Sequence, residues 1–494
     1  MAEITNCMKA FFKKYQKEAA LIAGLLLCLF FFLLNPLGLD PKAKLVLSIA
    51  VLIVSWWVLD AMPLPVVALV PLILYPLLNI NTLKETSKAY SDSIIYLFMG
   101  GFFLGMAIEK WNLHKRIALR IIRFTGTNGN NIILGFILST GFISMWLSNT
   151  ATTMMKYPIG ASVIHVISKH ADPKANIKNF SLTLMMSLAY ASNFGGIATI
   201  IGTPPNVAYV SHLNAHYKHG IDFMNWMLLC APLSILLLFM LYLVMVKWLY
   251  PNRLAQSLEG KQFIDAELKE MGKLSRQEKR VLVVFCSTAF LWITKDLINN
   301  AQKIFQLDDS IIALIGAVSL FIVPSGRNKE EPEERLLEWA DTKNMAWGIL
   351  LLFGGGIAMA KSLEDAKLMQ SLGQYIAGFA TDNILVLIFV VALISVFLSE
   401  VMSNIAQVIV MAPVISAVAD ALHINPLLLG IPMTLGASCA SMMPMGTPPN
   451  AIVFASGHIK LNQMIKTGFV MNIICVILIT LFSWLLLPLI MPDF

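Results

Sequence analysis

The chain has 494 residues, of which 57% are hydrophobic and only 13% are charged, and its mean hydropathy is +0.73. Soluble domains carry about 25% charged residues, so this composition argues against a soluble protein and predicts a polytopic membrane protein. The formal net charge of +7 indicates no nucleic-acid partner, because the basic residues are dispersed through the loops. The six cysteines form no CxxC pair or Cys/His spacing, which argues against a disulfide framework or a zinc site.

The first half of the chain predicts helices that cross the membrane and one pair of shorter limbs. No A-x-A cleavage pattern follows the first apolar run, so we expect it to remain as a span rather than to be removed as a signal peptide. The limbs 131–147 and 151–167 are too short to cross comfortably and predict a re-entrant hairpin over 131–167. The other predicted spans are 18–38, 43–60, 62–79, 93–113, 181–213 and 223–249.

The second half repeats this pattern. Its limbs 383–399 and 404–421 predict a second hairpin, and its other predicted spans are 279–300, 309–324, 344–364, 427–456 and 465–491. Counting each limb pair as one hairpin predicts an all-α polytopic membrane protein with about eleven crossings. Lysine and arginine concentrate in the segments that this count assigns to the cytoplasm. We therefore expect a multi-pass plasma-membrane protein with its N-terminus inside and its C-terminus outside.

Two polar segments are predicted to lie outside the membrane core. The stretch 114–124 places basic and apolar residues at helical spacing, so it is expected to lie along the cytoplasmic interface. The stretch 251–280 is the longest polar loop and is expected to be a solvated connector. The chain then divides into four parts, namely a cytoplasmic N-terminus (1–17), a first half (18–250), a cytoplasmic linker (251–278) and a second half (279–494).

The tetrapeptide TPPN occurs twice, at 203–206 and 447–450, each time inside a long apolar stretch. Consecutive prolines cannot continue a helix, because proline lacks the N–H group and its ring clashes with the preceding turn. The stretches 181–213 and 427–456 therefore predict transmembrane helices that are broken at mid-depth. Such breaks are tolerated only where they are buried in protein or line a polar cavity, and a pair of them is typical of a transporter's binding site.

An internal repeat relates the two halves. A displacement of about 255 residues places Ser144 on Ser399 and Ser148-Asn149 on Ser403-Asn404. Gly-Gly, Ser-Asn, Pro and TPPN recur in the same order, which coincidental similarity between apolar segments does not explain. Because an odd number of predicted crossings separates the repeats, we expect inverted repeats that hold a substrate at mid-membrane between two opposed half-sites.

The predicted hairpin tips carry polar residues without fixed charge. Ser148, Asn149 and Thr150 join the limbs of the first hairpin, and Ser403 and Asn404 join those of the second. A tip at mid-depth exposes the N-terminus of its second limb, whose free N–H groups and positive dipole end favour an anion. One such motif alone is consistent with an ordinary helix N-cap. Two opposed tips suit an anion with a carboxylate at each end.

The stretches SNTATTMM, SNFGGIATIIGTPPN and MMPMGTPPNAIVFASG resemble signatures of the divalent anion/sodium symporter (INDY-type) family of di- and tricarboxylate transporters. The resemblance covers roughly residues 43–491. It implies a homodimer in which each protomer has a scaffold and a mobile, elevator-type transport domain. It also implies C4/C5 dicarboxylates of the succinate, malate and 2-oxoglutarate class as substrates, no organic cofactor and no enzymatic activity.

The resemblance also implies roles for individual positions. Substrate carboxylates are expected at Ser148, Asn149, Thr150, Ser403 and Asn404, aided by Thr203, Pro204, Thr447 and Pro448. In sodium-coupled members, one Na⁺ lies near the residues that match Ser144, Ser148, Asn149 and Gly202. A second Na⁺ lies near those that match Ser399, Asn404 and Gly446. Neutral hydroxyl, amide and carbonyl oxygens suit a hard cation of this kind.

Two residues depart from the family pattern. Ile405 follows Ser403-Asn404 where threonine is usual, and Lys156 stands two helical turns beyond Asn149 on the same face. Glu400, beside the second tip, is the expected intramembrane counter-charge of this lysine, although a lysine that snorkels towards the interface is the alternative. A fixed cation near the first ion site would repel Na⁺ and slow the return of the empty carrier. We therefore expect a Na⁺-independent dicarboxylate exchanger, with Na⁺-coupled symport as the alternative.

Other classes of membrane protein fit the sequence less well. An arsenite or Na⁺/H⁺ antiporter of similar architecture would not need two opposed Ser-Asn tips, and no predicted span contains the aspartate pair expected of a proton-driven antiporter. The sequence contains no HExxH, GxSxG or Walker A motif. A membrane-embedded hydrolase and an ATP-driven pump are therefore not expected.

The predicted topology is testable by cysteine labelling. A cysteine introduced into the loop 251–280 should react with an impermeant reagent only from the cytoplasmic side. A cysteine introduced after Leu489 should react only from outside, because about eleven crossings place the termini on opposite faces. If both positions react from the same face, a hairpin has been miscounted and the repeats are not inverted.

Overall fold

The computed structural model describes residues 15–491, apart from 127, 171–175, 218–219, 253, 255–257, 303, 327–333, 380 and 382. Most of the predicted cytoplasmic N-terminus (1–17) therefore lies outside the described residues. Within them the secondary structure is helical apart from isolated bridges, such as the one between Pro324 and Arg335. The predicted all-α class is confirmed.

In the first half of the chain, proline divides one predicted span, and polar side chains cap the first turns of several helices. Pro65 and Pro71 occupy the first turns of two short helices where one span, 62–79, was predicted. Asp92 and Asn128 each accept a main-chain N–H at the start of a helix. The helices are α1 (Gln16–Leu34), α2 (Pro41–Val58), α3 (Leu64–Val67), α4 (Val70–Leu77), α5 (Leu83–Lys88), α6 (Ser93–Lys110), α7 (Leu113–Thr125), α8 (Gly129–Ser144), α9 (Asn149–His170), α10 (Ile177–Gly196), α11 (Pro204–His216) and α12 (Phe223–Tyr242), which continues as a π-helix over Leu243–Leu249.

The second half contains a helix that the hydrophobic pattern did not reveal, Leu368–Ala377. This helix follows a long span as α7 follows α6, and the residue at each corner, Asn112 or Lys367, has a positive φ of 54° or 56°. The linker contains α13 (Leu258–Glu270). The helices after it are α14 (Arg276–Ala301), which begins in the linker, α15 (Asp309–Ile322), α16 (Trp347–Asp365), α17 (Leu368–Ala377), α18 (Ile384–Leu398), α19 (Asn404–Ala421), α20 (Leu427–Ala437), α21 (Pro448–Phe454), α22 (Leu461–Leu485) and α23 (Leu487–Ile490).

Among the described residues, eight helical segments are long and apolar enough to cross a membrane. Shorter apolar helices accompany them, and these include the hairpin limbs α8 and α18 and the half-helix α20. An 18-residue helix spans about 27 Å at 1.5 Å per residue, so these shorter helices do not cross a bilayer on their own. The short first limbs α8 and α18 are as predicted, whereas the second limb α9 has 22 residues and the second limb α19 is itself one of the eight long segments.

The two halves pack in the same way around their hairpins. In the first half, α8 packs against α10, and in the second half α18 packs against α20. Glycine permits the first contact, because a Cβ on Gly195 would lie 2.3 Å from the carbonyl oxygen of Gly141. Gly436 faces Ser395 at the corresponding contact of the second half. The halves also pack on each other, α10 against α21 and α11 against α19, so the hairpins and broken helices form one body.

The linker between the halves is more than the solvated connector expected from its polarity. Arg116 of α7 is buried, and its guanidinium donates to both carboxylate oxygens of Glu278 at 2.6 and 3.0 Å. The same guanidinium donates to the carbonyl oxygens of Met271, Gly272 and Lys273. Sequence polarity does not reveal this arrangement, because the partner of Arg116 lies 162 residues away along the chain.

The Arg116–Glu278 pair should support the folded protein. Arg116→Leu leaves Glu278 buried without its cation, which should lower the free energy of unfolding by about 3–5 kcal/mol. The loss is measured as a lower unfolding temperature of the purified protein in detergent. Arg123→Leu is the matched control, because Arg123 forms an ion pair with Asp265 through a side chain that is 61% exposed, and such pairs contribute about 0.2–1 kcal/mol. Equal losses in the two variants would contradict the prediction.

Candidate functional site

The first hairpin tip lies between α8 and α9. Asn149 is the first residue of α9, and the hydroxyl of Ser148 accepts the N–H of Ala151 at 3.3 Å. The side chain of Asn149 turns back towards α8, where its Oδ1 accepts the hydroxyl of Ser144 at 2.8 Å. Ser148, Asn149 and Thr150 are half-buried. The tip therefore presents the N-terminal turn of α9 with polar side chains around it, as predicted.

A cavity of about 100 Å³ adjoins this tip. Its walls include Ser148 and Ala151 of the tip, Gly105 and Glu109 of α6, and Ile201 of the break between α10 and α11. The break is thus not enclosed by apolar packing on every side. This is the condition under which a broken helix is stable within a membrane.

The second hairpin tip reproduces the first at the level of side chains. Asn404 is the first residue of α19 and Ser403 precedes it, and both are half-buried. Ser399 lies at the end of α18, and its Oγ is 3.3 Å from Asn404 Oδ1 and 2.7 Å from the carbonyl oxygen of Ala437. The Ser–Asn pairing that joins the two limbs thus occurs in both halves. Ile405 offers no hydroxyl at this tip.

The first broken helix brings main-chain oxygens to the first tip. A 3₁₀ turn, Ile200–Gly202, separates α10 from α11, whose first residue is Pro204, and Thr203 before it is buried. A Cβ on Gly202 would lie within 3.0 Å of three carbonyl oxygens, those of Ser144, Met145 and Gly196. Asn149 Oδ1 adjoins this cluster, because a Cβ on Gly196 would lie 2.2 Å from it. Several neutral oxygens in so small a space fit a hard cation such as Na⁺.

The second broken helix is organised by a carboxylate. Helix α20 ends at Ala437 and α21 begins at Pro448, and Glu400 holds the loop between them. Its carboxylate accepts hydrogen bonds from the main-chain N–H groups of Ser441, Met442 and Met443 and from the Asn472 amide, at 2.7–2.9 Å. A Cβ on Gly446 would lie 3.0 Å from Glu400 Oε2. The second expected ion position therefore lies beside a carboxylate with several bound donors.

The expected pairing of Lys156 with Glu400 is wrong. Lys156 is 2% exposed, its Nζ donates to Ser139 Oγ at 2.7 Å, and it lies 5.9 Å from the ring centroid of Phe136. No ion pair involves Lys156 or Glu400 in the part of the chain that the structure describes. Helical spacing placed Lys156 on the same face as Asn149, but the long side chain ends on α8 rather than at the tip.

Sequence patterns missed several polar residues that hold the site together. Thr199 Oγ1 accepts the N–H of Gly202 at 3.1 Å, and Asn193 joins Asn149 to Thr447. Both residues lie inside the stretch SNFGGIATIIGTPPN, which carries the family resemblance. Their position in that stretch could have indicated that they belong to the site. Asn472 lies in the apolar part of helix α22, away from the two amides of its first turn, Asn462 and Gln463. Its depth in the span is the signal that the sequence offers for it.

The fold and the twinned half-sites are those expected of a secondary transporter embedded in the membrane. A family described as "Sodium:sulfate symporter transmembrane region" matches residues 13–491. The chain belongs to this family of divalent anion/sodium symporters, as its motifs predicted.

Two named relatives have similar sequences, and two solved structures have a similar fold. The "Sodium-dependent dicarboxylate transporter SdcS" of Staphylococcus saprophyticus is 37% identical over 477 residues, which cover 96% of this chain and 92% of the relative. The protein of the same name from Staphylococcus aureus is 36% identical over 494 residues, covering 97% and 95%. Two solved structures share the fold at 13% identity. They are the YdaH transporter of Alcanivorax borkumensis, with a TM-score of 0.57 over 81% of this chain and 86% of that one, and MtrF of Neisseria gonorrhoeae, with 0.52 over 81% and 83%.

The Na⁺-independent exchange expected from Lys156 is contradicted by these relatives, which are named as sodium-dependent and match nearly the full chain. In the structure the Lys156 side chain is bound to Ser139 and does not take the place of a cation in the oxygen cluster at Gly202.

Proposed function

We propose that this protein is a Na⁺-coupled symporter of C4/C5 dicarboxylates of the succinate, malate and 2-oxoglutarate class. The observation that carries the proposal is the twinned half-site, in which Ser144 pairs with Asn149 and Ser399 pairs with Asn404 beside a broken helix. The names of the Staphylococcus relatives support both the ion and the substrate.

The two tips supply the contacts for a dicarboxylate. Each tip begins a helix, α9 or α19, whose first N–H groups lack main-chain partners and attract a carboxylate. The side chains of Ser148, Asn149, Thr150, Ser403 and Asn404 add donors, and Thr203, Pro204, Thr447 and Pro448 complete the site at the broken helices. Because both tips lack cationic side chains, the substrate's two negative charges are not neutralised by the protein.

Sodium, which is transported with the substrate, supplies the missing positive charge. An isolated dianion at mid-membrane is heavily penalised, and cations bound in the same unit reduce that penalty. The first Na⁺ is assigned to Ser144, Ser148, Asn149 and Gly202. The second Na⁺ is assigned to Ser399, Asn404 and Gly446, where Glu400 adds a negative charge that favours a cation.

The packed body of hairpins and broken helices is the mobile unit in this proposal. It contains both half-sites, because α10 packs on α21 and α11 on α19, so one movement of this body carries substrate and ions together. We assign the N-terminus to the cytoplasmic side of the plasma membrane and the C-terminus to the outer side. We also assign the protein a homodimeric state. The family resemblance and the distribution of basic residues support these assignments.

Uptake into proteoliposomes tests the coupling. Radiolabelled succinate should enter empty vesicles that contain the protein when Na⁺ is supplied outside, and replacing Na⁺ with choline should abolish uptake, because the dianion then lacks its compensating cations. Vesicles preloaded with unlabelled succinate provide the comparison. Uptake that requires preloading and ignores Na⁺ would contradict symport.

The role of the tips is tested by truncating each asparagine. Asn149→Ala or Asn404→Ala removes a donor from a desolvated anion site, at a cost of about 1–3 kcal/mol, so succinate uptake should fall at least fivefold. Asn179→Ala is the control, because Asn179 bonds the carbonyl oxygen of Pro251 outside the half-sites. Wild-type uptake by either tip variant would remove the tips from the substrate site.

A further inference from the structure

A chain of side-chain hydrogen bonds connects the two half-sites, and its central residue is buried. It begins in the first ion site, where Ser144 Oγ is 2.8 Å from Asn149 Oδ1. The other end of the Asn149 amide, Nδ2, lies 3.5 Å from Asn193 Oδ1. The Asn193 amide then donates from Nδ2 to Thr447 Oγ1 at 3.1 Å. Asn193 is fully buried in α10, and it thus joins the first tip to the TPPN break of the opposite half.

The internal repeat does not duplicate this connection. Helix α10 ends three residues after Asn193, and helix α20 ends three residues after Thr434, so Thr434 is the residue of the second half that matches Asn193. The Thr434 hydroxyl donates to the carbonyl oxygen of Gly430 within its own helix instead. This series of hydrogen bonds therefore connects the first ion site to the second half-site, and the repeat provides no matching series among the described residues from the second ion site to the first half-site.

A bound cation fixes the direction of these hydrogen bonds, that is, which end of each asparagine amide donates and which accepts. A primary amide accepts at its oxygen and donates at its nitrogen, so each asparagine has a direction. A Na⁺ at the Gly202 oxygen cluster requires Asn149 to present Oδ1 to the ion, which turns Nδ2 towards Asn193. Asn193 must then present its oxygen to Asn149 and its nitrogen to Thr447.

This polarity decides what the Thr447 hydroxyl can do. Thr447 Oγ1 receives the Asn193 amide at 3.1 Å and the main-chain N–H of Asn450 at 3.3 Å. Both partners are donors, so the single hydroxyl proton of Thr447 is left for a substrate carboxylate. In the reverse polarity, Thr447 would donate to Asn193, and this donor would be lost to the substrate.

We propose that Asn193 is a positioning residue that couples Na⁺ in the first ion site to dicarboxylate binding at Thr447 in the second half-site. The inference rests on the proposed function, because it needs both ligands. Asn193 touches neither of them and acts through Asn149 and Thr447. Because binding linkage is reciprocal, Na⁺ raises the affinity for substrate by the same factor by which substrate raises the affinity for Na⁺.

The test measures that linkage directly. Succinate binding to the purified full-length protein is titrated by calorimetry at low and at saturating Na⁺, and the ratio of the two affinities is the Na⁺ gain. In Asn193→Ala this gain should fall at least fivefold below the wild-type gain, which corresponds to the lower end of typical coupling free energies. In a Thr447→Val background, Asn193→Ala should cause no further loss, because both substitutions interrupt the same chain.

Ser192→Ala is the matched control. Ser192 is the neighbouring buried residue of α10, and its hydroxyl accepts the hydroxyl of Thr153 in α9 at 2.8 Å. It thus joins the same two helices as the Asn149–Asn193 contact, but it does not bond Thr447. Its substitution should leave the Na⁺ gain within about twofold of wild type.

Each outcome bears on the proposal. A wild-type Na⁺ gain in Asn193→Ala, or an equal loss in Ser192→Ala, would overturn the role of Asn193 while leaving symport intact. Absence of a Na⁺ gain in the wild-type protein would overturn both the proposed function and this inference. If Asn193→Ala does not yield folded protein, Thr447→Val alone must show the reduced gain and Thr447→Ser must restore it, because serine keeps the hydroxyl. An undiminished gain in Thr447→Val would overturn the proposal.

Discussion

Main-chain groups that lose their helical partners inside a membrane must find others, and the whole site depends on how this is done at the two TPPN breaks. The prolines are the first two residues of the helix that follows each break, and the asparagine of the same motif satisfies carbonyl groups of the preceding segment. Asn206 donates to the carbonyl oxygens of Gly196, Ile197 and Thr199, and Asn450 donates to those of Ala440 and Met443. One tetrapeptide therefore both begins the second segment and stabilises the break that precedes it.

The two halves solve the same problem with different chemistry. In the first half, the turn before TPPN is held by the Thr199 hydroxyl and carries a cluster of neutral carbonyl oxygens. In the second half, the corresponding loop is held by the Glu400 carboxylate through three successive main-chain N–H groups. The repeat thus preserves the shape of the breaks and the Ser–Asn pairs, while the residues that support them differ. The two half-sites are thus alike in geometry and unlike in charge.

Much of the fold and part of the site follow from sequence because their signals are local or periodic. Long apolar runs predict the spans, consecutive prolines predict the breaks, and the repeat predicts that Ser399 and Asn404 behave as Ser144 and Asn149 do. Partners across the fold carry no such signal. Lys156 was assigned to Glu400 by depth and helical face, yet its flexible side chain ends on Ser139, and Glu400 is satisfied by main-chain groups more than 40 residues away. The error about ion coupling arose from this single misplaced charge.

The hydrogen bonds of the Arg116 guanidinium limit how helix α7 can move. Helix α7 connects the first spans to the first hairpin, and five hydrogen bonds from one guanidinium anchor it to the linker. Helix α7 is therefore fixed where it contacts the linker and is freer to move at its other end. Displacement of the hairpin relative to α7 must then be absorbed beyond the anchor, where Gly126 adopts a φ of 108° that other residues rarely reach. In the movement proposed above, the polar linker thereby sets the position of the pivot at the C-terminal end of α7.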